Sequence, residues 1–82
     1  MYNYFMLIGV VEDYMNAEDY FISLKVNRMF GQGADHFQIR LMDYIANIAK
    51  EEIHIGEKIA IKGRLVQTDK LELIGERIIF FR

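Results

Sequence analysis

The side chains here that could do chemistry are few and scattered. The sequence holds two histidines, ten lysines and arginines, twelve aspartates and glutamates, and no cysteine. Without cysteine there is neither a disulfide framework nor a thiolate-bound zinc or iron–sulfur site. His36 follows Asp35, but neighbours on an extended strand face opposite sides, so they do not form a base and its orienting acid. His54 stands by a glycine with no evident partner. No metal-ligand spacing, phosphate-binding glycine loop or nucleophile elbow occurs. These absences argue against an enzyme, and no cofactor or metal is implied. What recurs instead is a cation among the outward positions of extended segments: Lys25, Arg28, Arg40, Lys62 and Arg64. Phe21, Phe30, His36, Gln38 and Met42 are interleaved with them. Cations suit phosphates and rings suit bases, while cations on a strand also keep a sheet soluble and protect its edges. On the residues alone both readings stand.

The elements that would position these side chains follow from periodicity. Tyr4 to Val11 is apolar at consecutive positions, with Gly9 marking a bulge or bend. A strand covered on both faces reads this way. Two explanations are compatible: a long strand serving both halves of a curved sheet, or an outer face of Tyr4, Met6, Ile8 and Val10 that meets another subunit. Glu12 to Asp19 is acidic and reads as a solvated loop, bracketed by Tyr14 and Tyr20. Those tyrosines could stack a base or pin the loop.

Tyr20 to Arg28 alternates cleanly, with Ile22, Leu24 and Val26 inward and Phe21, Ser23, Lys25 and Asn27 outward. Phe30 to Gly33 is a glycine-bearing hairpin connection, where Phe30 could fold back on the core or stand out. His36 to Met42 alternates again, with Phe37, Ile39 and Leu41 inward. Asp43 is placed to cap a helix of about ten residues, whose inner positions are Ile45, Ile48 and Ala49. After Gly56, Glu57 to Gln67 puts Ile59, Ile61, Gly63 and Leu65 inward and Lys58, Ala60, Lys62, Arg64 and Val66 outward. Gly63 on the core side implies close backbone approach at a bend. Thr68 to Lys70 is a tight turn before a last strand, Leu71 to Phe81.

Five strands with one short helix between the third and fourth make an all-β, five-stranded OB-fold barrel, an architecture that binds oligonucleotides or oligosaccharides. The expectation is one domain over residues 1–82. Net charge is −2, a mild argument against a polyanion partner. The acids, however, gather in the first loop and the helix, and the cations on outward strand positions. No apolar run reaches membrane-spanning length and the N-terminus lacks a signal-peptide pattern, which makes the cytoplasm the default.

NYFMLIG at 3–9, LKVNRMF at 24–30, AD at 34–35, IGEKIAIKGRLVQT at 55–68 and the closing LELIGERIIFF resemble the bacterial single-stranded-DNA-binding protein (SSB) family. They equally resemble its relative, the primosomal replication protein N (PriB). The resemblance runs along essentially the whole chain. It implies sequence-tolerant binding of single-stranded DNA in replication, repair or primosome assembly. Phe21, Phe30 and His36 would stack bases, with Gln38 and Met42 beside them, and Lys25, Arg28, Arg40, Lys62 and Arg64 would meet phosphates. It also implies a homodimer through the first strand, or a tetramer, and replication or primosome proteins as partners.

The chain departs from the family pattern in four places. His36 stands where many members have tryptophan, Met42 where they have an aromatic, the hairpin between strands four and five is short, and the acidic-tipped tail is absent. These departures point to a reduced member, a PriB-like relative or a domain cut from a longer chain. They also raise the alternative of an OB module that docks replication proteins and binds DNA weakly. An RNA-binding OB domain is a third reading.

Overall fold

The structure is a computed structural model that describes residues 3–16 and 18–82. The elements are β1 (Tyr4–Asn16), β2 (Tyr20–Asn27), β3 (Ala34–Leu41), α1 (Asp43–Glu52), β4 (Lys58–Gln67) and β5 (Leu71–Phe80). They close into a barrel in the order β1-β2-β3-β5-β4. All pairs are antiparallel except β3 with β5, which is parallel and only three residue pairs long. This is the expected OB fold.

The inward set of each strand makes the core. Ile22, Leu24, Ile39, Ile59 and Ile61 are fully buried, with Val11 beside them. α1 closes one end with Ile45, Ala46 and Ala49, and Ile53 follows it into the same cluster. Ile48, expected inward, is 44% exposed, because at helical spacing Ala46 takes the inner place beside Ile45 and Ala49. Asp43 does not cap the helix. Met42 holds the cap position without a side-chain bond, and Asp43 opens the first turn, where a carboxylate favours the helix dipole. The Gly56 amide donates to the Val11 carbonyl at 2.7 Å, and the Met42 amide to that of Gly75 at 3.1 Å, tying both ends of the α1 connection to the barrel.

β1 serves both halves of the sheet: Tyr4 to Val10 pair with β4, and Val10 to Asn16 pair with β2. The strand thus continues through Glu12–Asn16, which the acidic composition had suggested was loop. Its partner, the start of β2, supplies the ladder bonds that override composition. The bulge falls at Glu12, between the pairs Val11–Leu24 and Asp13–Ser23, and not at Gly9. Gly9 answers a different need, since a Cβ there would collide with the Lys25 carbonyl oxygen. Gly63 sits at the expected bend, next to a register shift with β5 and opposite Gly75. A Cβ at Gly63 would run into the Ile74 carbonyl.

Tyr20 is buried and stacked on Tyr14 with ring centroids 6.1 Å apart, so it pins the β1–β2 hairpin and offers no ring to a base. Burial first, and the neighbouring Tyr14 second, push its phenol above the usual value.

Candidate nucleic-acid interface

Alternation places one outward row on β2 and another on β3, and the register joins them. Phe21 lies opposite Arg40, Ser23 opposite Gln38 and Lys25 opposite His36. The first of these rows continues around the barrel. Met15 of β1 flanks Phe21, while Ile74 of β5 lies between Arg40 and Arg64, and Tyr4 follows on β1. Strands are spaced about 4.8 Å apart, so Arg40 and Arg64 stand about 10 Å from each other across Ile74.

The short β3–β5 pairing has a consequence for shape. Only Ile39 to Leu41 are held by β5, so the first half of β3 leaves its neighbour and a cleft of about 510 Å³ opens there. Its outer wall is Phe21, His36, Gln38 and Arg40. Lys70, Leu71 and Glu72, where the β4–β5 turn enters β5, face them. The floor is apolar, formed by Phe5, Leu7, Phe37, Leu65 and Leu73 at the barrel end away from α1. Rings and aliphatic groups below, with cations and amides at the rim, suit a ligand with flat faces and a charged backbone.

The expected cations differ in availability. Arg28 donates from Nε and Nη2 to Oδ1 of Asp35, at 3.1 and 2.9 Å. These bonds hold the Asp35 carboxyl below the usual range and push the guanidinium higher. Arg64 is paired with Glu76 at 3.0 Å. Lys25, Arg40 and Lys62 form no ion pair among the described residues. Lys62 and Arg64 lie on β4 beside Met6 and Tyr4, so they do not join the β2–β3 rows directly. Phe30 and Met29 project from the β2–β3 hairpin, 84% and 88% exposed, so Phe30 is not folded onto the core. Gly31 and Gly33, with φ of 80° and 104°, make that turn. Met42 sits at the β3–α1 junction and does not line the cleft.

Sequence reasoning missed several groups at this face. Met15 flanks Phe21, and the cleft wall at Lys70–Glu72 comes from the short turn and the start of β5. Glu12 is also on this face: its Oε2 lies 2.7 Å from His36 Nδ1, and the Ser23 hydroxyl donates to it at 3.5 Å. The bulge turns it there, and a one-residue bulge leaves no mark in the periodicity. Among the described residues, no cluster of three or more His, Asp or Glu side chains could hold a metal ion.

No protein-family model matches the sequence, and no curated protein matches it. Solved structures do match the fold. The S. cerevisiae mitochondrial single-stranded DNA binding protein Rim1 superposes with a TM-score of 0.85 at 13% identity, covering 100% of this chain and 96% of that one. The Plasmodium falciparum SSB, solved in complex with ssDNA, gives 0.77 at 20% identity over 100% and 96% of the two chains. The dimeric N-terminal domain of PriB from Thermoanaerobacter tencongensis gives 0.68 at 19% identity over 93% and 92%. At these identities the likeness is one of fold, and it extends over nearly the whole of each chain.

Proposed function

We propose that this chain binds single-stranded DNA with little sequence preference, along the outer face of β2 and β3 and into the cleft beside β3. The observation that carries the reading is the Phe21–Arg40 pair at the rim of an apolar cleft, with Lys25 unpaired nearby, in a barrel shared with proteins solved as DNA binders. Phe21 offers a stacking surface, and Arg40 and Lys25 meet phosphates. The Ile74 row gives the strand a route toward Arg64 and Tyr4. His36 and Gln38 offer polar edges and Phe30 a ring at the hairpin tip. Affinity falls steeply with salt as counterions are released. Fluorescence anisotropy with labelled dT oligomers at low and moderate salt is the test, and no binding at tens of micromolar protein in low salt rejects the reading. A matched RNA oligomer in competition separates DNA from RNA preference.

A homodimer is the second part of the reading. Tyr4, Met6 and Ile8 are 64%, 52% and 44% exposed on the outer face of β1, next to one another. Val10 is half-buried between Lys25 and Lys58 and adds less. Apolar side chains in such a row gain by being covered, and the PriB neighbour is dimeric. Sedimentation equilibrium showing a monomer at high micromolar concentration removes this part.

A further inference from the structure

The centre of the proposed DNA face carries an anion of its own. At the β1 bulge two residues, Glu12 and Asp13, oppose the single residue Ser23, and both are brought toward the outer side. They then behave differently. The Asp13 carboxylate turns back and accepts the backbone amide of Tyr14 at 2.8 Å. Glu12 reaches forward across β2, taking the Ser23 hydroxyl and then His36 Nδ1 on β3. Its side chain is 31% exposed and that of His36 is 58% exposed, so the pair sits at the surface where a strand would lie. Lys25, paired with His36 in the register, is the adjacent cation. A hydroxyl and an imidazole nitrogen meet on one carboxylate oxygen, with a lysine at the next outward position, so a carboxylate occupies a spot suited to an anion.

We infer that Glu12 is a built-in competitor of nucleic-acid phosphate, holding Ser23 and His36 in the free protein and giving them up when a strand binds. This inference rests on the reading of the β2–β3 face as the DNA surface. It makes Glu12 a determinant of affinity with a definite sign. A carboxylate that merely held His36 in a productive orientation would weaken binding when neutralised. One that competes strengthens it.

Glu12→Gln keeps the shape and removes the charge, so the barrel is retained. Anisotropy of a labelled dT oligomer at moderate salt should show this variant binding roughly five-fold tighter than the parent, the scale of one removed charge repulsion at a solvated surface. Asp13→Asn removes the same charge from the neighbouring residue and should change affinity less than about two-fold, because that carboxylate holds no group on the face. In the His36→Ala background the gain from Glu12→Gln should shrink below about two-fold, since no imidazole remains to be released. If the parent binds and Glu12→Gln is unchanged or weaker, competition is wrong and the DNA surface stands. An equal gain from Asp13→Asn, or a gain undiminished by His36→Ala, reduces Glu12 to diffuse repulsion and overturns the inference. If neither parent nor any variant binds, the DNA reading falls and takes the inference with it.

Discussion

The barrel has two outer faces that the distribution of charge and apolar residues does not tell apart, and side-chain bonding does. Beside β2 and β3 the outward groups are tied to one another: Glu12, delivered by the β1 bulge, holds Ser23 and His36. A cleft opens beside them. On β1, β4 and β5 the outward rows are Ile8–Ala60–Ile79 and Met6–Lys62–Arg77. Ala60 is fully buried although it points outward, between Ile8 and Ile79. Both faces mix cations with apolar groups. One is a polar network beside an apolar floor, suited to a charged ligand that brings its own bases. The other is an apolar row between strands, suited to being covered. Cations on a strand therefore say less about a partner than the bonds those cations already make.

The largest effect expected is the one that removes both faces together. β4 carries Lys62 and Arg64 on one side and core residues on the other, and it turns at Gly63. Gly63→Ala drives a methyl group into the Ile74 carbonyl, which is backbone and cannot rotate away. Overpacking of that kind costs about 1–3 kcal/mol or more, a large fraction of the stability of a chain this small. Chemical denaturation should show it. A variant of unchanged stability would mean that the bend is not fixed by the glycine.

The next effect separates the faces. Ile8→Glu places a carboxylate in the exposed apolar row, with Ala60 as its β4 neighbour and Lys62 one outward position along. If this row is a dimer interface, burying an unpaired charge in it should weaken association at least a hundred-fold, on the order of 3 kcal/mol. Sedimentation would read it. DNA affinity per barrel, measured with an oligomer too short to span two barrels, should stay within about two-fold, since the β2–β3 face is untouched. A parallel loss of both would mean that the two faces are one site.

Much of this fold was legible because one period governs it. Ile22, Leu24, Ile39, Ile59 and Ile61 fall at alternate positions along their strands, and all are buried. Thr68 to Lys70 and the paired glycines at 31 and 33 were readable as turns because few other residues make such turns well. The site was less legible. Glu12 belongs to an acidic run, and nothing local says that the chain bulges there and delivers a carboxylate to a strand two removed. The partners of Arg28 and Arg64, Asp35 and Glu76, depend on register and on a second bulge. The cleft arises from strands that fail to pair, which leaves no pattern in the sequence.

Within the β2–β3 face the ring should matter more than any one cation. Phe21→Ala removes the aromatic surface at the cleft rim, and a base stack lost this way costs about 1–3 kcal/mol of binding. Arg40→Gln at the same row should weaken binding less. Its sharper signature is a salt dependence shallower by about 0.7 in the logarithmic slope, the contribution of one phosphate on a single strand. Anisotropy across a salt series distinguishes them: Phe21→Ala should lower affinity at every salt without changing the slope. A changed slope for Phe21→Ala would place the ring away from the bases.

The smallest effect concerns a cation that the sequence ranked with the others. Arg28 follows β2 in the hairpin, where its partner Asp35 stands opposite Val26 and not in the Lys25–His36 row, and both of its bonding nitrogens are committed to Asp35. Arg28→Gln should therefore leave affinity within about two-fold, as expected of an exposed charge already neutralised. Asp35→Asn should do the opposite and strengthen binding, because it frees the guanidinium. The acid dependence follows the same pair. The Arg28 hydrogen bond lowers the folded-state pKa of Asp35, so its contribution to stability is present above the ordinary carboxylate range and is lost as pH falls through the depressed folded value. Arg28 thus stays held across the whole neutral range, and lowering pH only into the ordinary carboxylate range does not release it. Equal losses from Arg28→Gln and Lys25→Gln would show that a bound strand pulls Arg28 away from Asp35, and the division between committed and available cations would then fail.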